Sequence, residues 1–547
     1  MEHEGEVAGA PPGLSPRRRT LVLGSMCLAL VLVVAGVTML VNALPLIAED
    51  LELSQSKQAW VVDAYALPFA ALLLIAGALG DRYGRRGTLL AGTALFGIGS
   101  LLSAMSSGGN ELLAYRAITG VGAALIMPGT LSTITSVFPT EQRARAVGVW
   151  SGFAMGGGTL GMLGSGALLE SFWWGSVFVA AAVIALVTLV SIVLTVPSTC
   201  SLEPVSLDPG GTLLSILGIG GVVFGIIEGP EQGWTSPFTL GGIAIGVAAL
   251  VAFVWWELRV EEPILDPRLF RLRGFGTGSA GLFIMFLAMF GFFLVGMQFL
   301  QLILGYSPLK AAVGLLPQML VMMPLATIAA PLSLRVGQRR LCTIGLLTGA
   351  VAMASFVVLD ADSSYWQFLA SMILLSVAIG LSMTPATTAI VNSLPIAKQG
   401  VASAVNDTAR EVGVAVGVAV IGSAFNIAYR SGIDSNLDGV SPEVAAGARE
   451  APAIAFESAR GLGVQGADLT LAAQDAFISG LRAAVVLAAA LFALAALYTW
   501  WRAPGVAEAS VPDAEEEAST YGVALQPCWG SGAGTVVVRP IPEPAPG

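Results

Sequence analysis

Gly77-Ala78-Leu79-Gly80-Asp81-Arg82-Tyr83-Gly84-Arg85-Arg86 is the stretch that decides how this chain folds. Its glycines permit a tight turn, while its acid and arginines need water or a partner. On either side the sequence turns apolar, over 59–79 and 88–106. Each run is about the 20 residues that cross a bilayer as a helix, so a charged turn joins two spans. The alternation repeats along the chain. Apolar runs at 20–46, 59–79, 88–106, 111–137, 146–168, 174–196, 211–228, 237–256, 276–304, 311–334, 341–359, 365–393, 401–429 and 476–501 predict an all-α integral membrane protein of fourteen transmembrane helices.

Composition agrees. A hydrophobic fraction of 55% and a charged fraction of 11% do not suit a soluble domain, which holds about 45–50% apolar and about 25% charged residues. The first run is longer than the ~7–15 apolar residues of a signal peptide, so it remains as a span. A net charge of −10 offers nothing to nucleic acid. A phosphate-binding G-x-x-x-x-G-K-[ST] loop is missing, so this chain does not use ATP. Cys27, Cys200, Cys342 and Cys528 lie far apart without a CxxC pair, which argues against a zinc site or redox pair; no metal or cofactor is expected. His3, the single histidine, lies in the N-terminal tail, leaving proton handling to carboxylates, arginines and water.

Loop charge sets the sidedness, because Lys and Arg near helix ends are retained in the cytoplasm. With the N-terminus inside, the inner segments hold Arg17, Arg18 and Arg19; Arg82, Arg85 and Arg86; Arg143 and Arg145; Arg259, Arg268, Arg271 and Arg273; Arg335, Arg339 and Arg340; Lys398; and Arg502 and Arg539. The short outer loops hold Lys57 and Lys310. Both termini are therefore expected in the cytoplasm. The chain divides into a cytoplasmic tail (1–19), a six-helix bundle (20–197), a linker carrying helices seven and eight and a cytoplasmic loop (198–275), and a second six-helix bundle (276–501). The Ala-rich segment 430–475 is expected as a small external cap, and 502–547 as a disordered cytoplasmic tail. An echo relates the halves. Ser333-Leu334-Arg335-Val336-Gly337-Gln338-Arg339-Arg340 follows the tenth span as Leu79–Arg86 follows the second, with Arg82, Gly84 and Arg86 matched by Arg335, Gly337 and Arg339.

Charged residues inside spans carry most of the functional weight, since each costs about 2.5–3.5 kcal/mol at a helix centre. Asp407, Arg410 and Glu411 fall at i, i+3 and i+4 on one face of span thirteen. That face must line the protein interior or a wet cavity, as a proton-coupling group or as a network that fixes packing. Asp63, near the outer end of span two, is a candidate proton or cation site, or a hydrogen-bonding partner of a neighbouring helix. Arg482 in the last span reads as a snorkelling residue. Gly157, Gly161 and Ser165, after Gly148, Gly152 and Gly156, mark span five as a hinge or a tight packing face. Met285, Met289, Met297, Met319, Met322 and Met323 could furnish an adaptable apolar pocket.

The loop Gly77–Arg86 resembles the G-x-L-x-D-R-x-G-R-[RK] signature of the major facilitator superfamily at its defining positions Gly77, Asp81, Arg82, Gly84, Arg85 and Arg86. Trp60-Val61-Val62-Asp63-Ala64-Tyr65, Arg116–Ala124 and Asn406–Gly413 further resemble the fourteen-span drug:proton antiporter (EmrB/QacA-like) subfamily. The resemblance implies two six-helix bundles plus two extra helices between them, a gating role for the loop, and a part for Arg116 in proton transfer. It also implies proton-driven export of small lipophilic compounds by a monomer in the lipids of a bacterial cytoplasmic membrane, with no enzymatic activity. Two departures stand out. The subfamily's span-one acid is absent from Gly36-Val37-Thr38-Met39-Leu40-Val41-Asn42-Ala43-Leu44-Pro45, and span five reads Gly161-Met162-Leu163-Gly164-Ser165-Gly166 without the subfamily's proline. With no acid in spans one or ten, substrates are expected to be neutral or singly charged. The rival readings are a lipid or metabolite exporter with weak proton coupling, and a non-transporting sensor.

Overall fold

The computed structural model describes residues 14–53, 55–197, 208–394, 398–434, 437, 440–461 and 464–505. Most of both expected tails, with His3, Cys528 and Arg539, and the segment holding Cys200 lie outside the described residues. Among those described, all regular structure is helical. A chain in lipid must satisfy its backbone hydrogen bonds within each segment, and a helix does so.

The first set comprises α1 (Pro16–Asp50), α2 (Gln55–Tyr83), α3 (Arg85–Ala104), α4 (Gly109–Val137), α5 (Thr140–Leu169) and α6 (Ser176–Thr195). A hairpin follows, α7 (Pro209–Gln232) and α8 (Pro237–Glu257). The second set runs through α9 (Arg273–Gln298), the short α10 (Pro308–Gly314), α11 (Leu316–Val336), α12 (Gln338–Ser355), α13 (Tyr365–Asn392) and α14 (Gln399–Asp434). The short α15 (Pro442–Glu450) and α16 (Pro452–Gly461) precede α17 (Val464–Arg502). Among the described residues, thirteen helices are long and apolar enough to cross a membrane. The fourteenth long helix, α5, spans 30 residues and packs beside α1 and α11; its run of glycines dilutes its hydropathy.

One packing pattern occurs twice. In the first set α1 packs on α5, α2 on α4, and α3 on α4 and α6; in the second, α9 packs on α14, α11 on α13, and α12 on α13 and α17. The echo in the sequence has a backbone counterpart. Gly84 between α2 and α3 and Gly337 between α11 and α12 both hold positive φ, 102° and 91°, which L side chains resist. The sets meet along α2–α14 and α5–α11. The α7–α8 hairpin lies against α2 and α14, and Asp208 caps α7 by accepting from the Gly210 and Gly211 amides, each at 2.9 Å. In the 430–475 segment, α15 and α16 are tied back: the Tyr429 hydroxyl donates to Ala448 O at 2.8 Å, and Arg449 pairs with Asp434 at 2.5 Å.

Candidate functional site

The site is built where the two sets meet. At the arginine-rich end, α2 and α14 touch through glycines, so that a methyl on Gly77 would collide with Gly400 O. Asp81, at the end of α2, is fully buried. One carboxylate oxygen accepts from the amides of Gly400 at 2.8 Å and Val401 at 3.2 Å, at the start of α14. Its other oxygen accepts from Arg85 Nη2 at 2.9 Å and Nε at 3.2 Å. An anion at a helix N-terminus satisfies orphan amides and favours the helix dipole. Arg85 Nη1 donates to Ser132 O at 3.2 Å, at the end of α4, and Arg86 to Val193 O in α6 at 2.7 Å. Arg82 lies 5.5 Å from the ring of Tyr83. Asp81 makes this crossing between the two sets, and Arg85 orients it. The physical reason is the α14 N-terminus, which presents donors and so recruits a carboxylate.

Beyond this latch, α2 and α14 diverge around a cavity of about 550 Å³, within the usual ~300–1,000 Å³ of a ligand site. Val33, Val37, Ala66, Ala70, Val414 and Val418 give it an aliphatic side, and Phe286, Phe290, Phe292 and Phe293 of α9 an aromatic one. Phe286 and Phe290 stack with centroids 5.7 Å apart. Asp63, Arg410 and Glu411 are the charged residues among the described lining. Of the methionines singled out from sequence, Met289, Met297 and Met322 line the cavity. Met319 and Met323 instead pack on Gly156 and Gly152 of α5. Met285 lies in the core.

The three charges of α14 do not share one role. Arg410 and Glu411 reach the cavity, whereas Asp407 lies behind them, 1% exposed. Its Oδ1 sits 3.7 Å from Arg410 Nη1 and accepts from Asn406 Nδ2 at 3.0 Å. Among the described residues, Asp407 Oδ2 and Arg410 Nε have no hydrogen-bond partner. The Arg410 guanidinium lies 4.8 Å from the Phe286 ring and 5.6 Å from that of Trp150, so ring faces partly replace water around the cation. Trp150 is in turn held by its Nε1 donating to Thr130 Oγ1 at 3.0 Å.

Arg116 is buried. Its Nε donates to Val61 O at 3.3 Å, and its guanidinium lies 4.6 Å from the Tyr65 ring. The Tyr65 hydroxyl donates to Val33 O at 3.2 Å, and Tyr65 also lines the cavity. Arg116 therefore stands behind the wall that carries Asp63.

The glycine stripe of α5 splits in two. Gly148, Gly152 and Gly156 face Ala326–Thr327, Met323 and Met319 of α11, in the other set. Gly157, Gly161 and Ser165, the residues expected as a hinge, face α1 within their own set. There Thr38 Oγ1 donates to Gly158 O at 2.9 Å, and Asn42 Nδ2 to Met162 O and Ser165 Oγ, each at 2.9 Å. Asn42 thus ties α1 to α5. Arg482 is exposed and donates to Val357 O at 3.3 Å.

Sequence reading missed the acids of the extra helices. Glu228 is buried in α7 and bonds Gln232. Glu257, also buried, accepts from the Leu265 amide at 3.3 Å. Asp208 accepts from Trp256 Nε1 at 2.5 Å. All three sit at or near helix ends, where an isolated acid gives no signal. Cys27 and Cys342 are free, buried thiols, and the described residues contain no metal-binding cluster.

Comparison with known proteins matches this geometry. The chain is 36% identical over 488 residues to the multidrug efflux pump LfrA of Mycolicibacterium smegmatis, covering 88% of this chain and 96% of the relative. It is 31% identical over 489 residues to the methyl viologen resistance protein SmvA of Salmonella typhimurium, covering 88% and 98%. The human organic anion transporter MFSD10 superposes with a TM-score of 0.59 at 15% identity, over 89% of this chain and 100% of that one, a likeness of fold. The profile of the Major Facilitator Superfamily matches residues 26–211 and 210–418. A duplicated helical fold, a cavity between its halves and a family profile spanning most of the membrane helices make this chain a multi-pass membrane transporter that belongs to the Major Facilitator Superfamily.

Proposed function

We propose that the chain is a secondary exporter of amphiphilic small molecules such as drugs, antiseptics or natural products, driven by proton antiport, in the fourteen-span drug:proton antiporter subfamily. The carrying observation is the cavity: apolar walls of two chemistries, with Arg410 and Glu411 projecting between the halves and Asp407 directly behind. Apolar surface removes a lipophilic substrate from water, and a carboxylate meets its cationic group. Positive-inside charge puts the latched end and both termini in the cytoplasm of a bacterial cell. The conformation described then faces outward, and release of the Asp81 latch lets the bundles 20–197 and 276–501 rock to face inward.

Proton coupling follows from shared ligands. Arg410 lies beside both Asp407 and Glu411, and a proton on either carboxyl changes the charge that a cationic substrate meets. Substrate arriving from inside and proton arriving from outside compete for the same acids, which is antiport. The relative SmvA is named for resistance to methyl viologen, a dication. The described lining here sets Asp63 and Glu411 against Arg410, one negative charge in balance, so neutral or singly charged compounds suit this cavity. Asp407→Asn and Glu411→Gln in proteoliposomes are expected to abolish substrate-induced proton release while the protein still elutes as folded. Unchanged proton flux in both variants would overturn the assignment.

A further inference from the structure

The accessory hairpin does more than decorate the fold. At the latch, α2 and α14 are in backbone contact, but where they flank the cavity a third helix enters between them. Val223, Ile226 and Ile227 of α7 line the cavity. Val223 and Ile219 also form a small core with Ala70 of α2, against which Val412 of α14 packs. The hairpin is rigid enough to present that face. A methyl on Gly221 would lie 2.8 Å from Gly246 Cα of α8, so the two helices approach at backbone distance. Trp60 of α2 further pins α7, its ring centroid 6.0 Å from that of Phe224.

We propose that the Val223–Ile226–Ile227 face of α7 is an aliphatic subsite of the transport cavity, taking the alkyl tail of an amphiphilic substrate. The head lies against Glu411 and the stacked phenylalanines of α9, which line the same cavity. The two walls thereby divide the work: α9 reads the head and α7 reads tail length. The subsite presupposes export through this cavity.

The probes are methyltriphenylphosphonium and decyltriphenylphosphonium, which share one aromatic cationic head and differ in tail. Both are followed in proteoliposomes under an imposed pH gradient. Ile226→Trp fills the subsite and is expected to weaken apparent affinity for the decyl compound by more than about tenfold, equivalent to two displaced methylenes at about fourfold each. The methyl compound is expected to change by less than about twofold. Ile226→Ala, which removes wall surface without crowding, should also lose affinity for the decyl compound alone. Equal loss of both compounds in the alanine variant, or no loss in either variant, overturns the subsite while leaving export intact. Failure of the wild-type protein to move either cation overturns the export reading itself.

Discussion

Replacing Asp81 by Asn tests the latch with a quantity that the structure supplies. The carboxylate accepts from the Gly400 and Val401 amides across the α2–α14 seam, and from Arg85 on its own side. The Arg85 contacts stay within the first set and survive when the halves part, so they cancel between conformations. The two bonds to α14 do not. Hydrogen bonds to a charged group contribute about 1.5–3 kcal/mol each, and an amide oxygen can keep one of them in weakened, neutral form. Asp81→Asn should therefore cost the latched state about 2–5 kcal/mol, a shift of about 30-fold to about 5,000-fold toward the state open at the arginine-rich end. Spin labels at Tyr83 and Leu334, exposed at that end of the two sets, read the shift as a new, longer distance in pulsed electron resonance. Transport should slow while equilibrium substrate binding changes little. A distance distribution unchanged from the parent, or binding that falls as far as transport, would refute the latch.

Two further outcomes follow from particular contacts. A methyl on Gly161 would meet Thr38 Oγ1 and lie 2.7 Å from Ala35 Cα, whereas one on Gly164 meets nothing within 4 Å; Gly161→Ala should lower the thermal midpoint through roughly 1–3 kcal/mol of overpacking, with Gly164→Ala neutral, and equal midpoints would show that α1 and α5 are not in close register. In an efflux-deficient host, expression should protect against monovalent lipophilic cations and much less against divalent ones, and strong protection against the divalent set would reveal an acidic site beyond Asp63 and Glu411.

How far the sequence could be read depended on what lipid demands. A span leaves a long apolar run, so the run at 365–393 anticipates α13 at Tyr365–Asn392 almost to the residue. Where a helix leaves the bilayer, that signal vanishes: the run beginning at 476 belongs to α17, which starts at Val464. The break at Leu315 between α10 and α11 was equally silent, because both flanks are apolar. At the site, residue types were legible and partners were not. Asp81 announced a need for donors, but its partner Gly400 lies 319 residues away. Arg116 is buried against the ring of Tyr65, a partner 51 residues away that its own segment does not announce. The periodicity of α14 grouped Asp407 with Arg410 and Glu411, yet a stripe three residues wide has a front and a back. Asp407 took the back.

The long helices of the second set end in a built-in lever. With 36 residues in α14 and 39 in α17, each rises about 54–58 Å, well beyond the ~30 Å apolar slab of a bilayer. At the end away from the arginines they carry α15 and α16, fastened by Tyr429 to Ala448 and by Arg449 to Asp434. This tip is anchored to one half of the molecule, so the rocking proposed above would swing it, magnifying a small tilt at the seam into a larger excursion in the aqueous phase. A donor dye on exposed Glu443 and an acceptor on exposed Phe172 would make each turnover visible in single molecules without touching the substrate path. The same tip offers an antibody fragment a grip by which such a swing could be arrested.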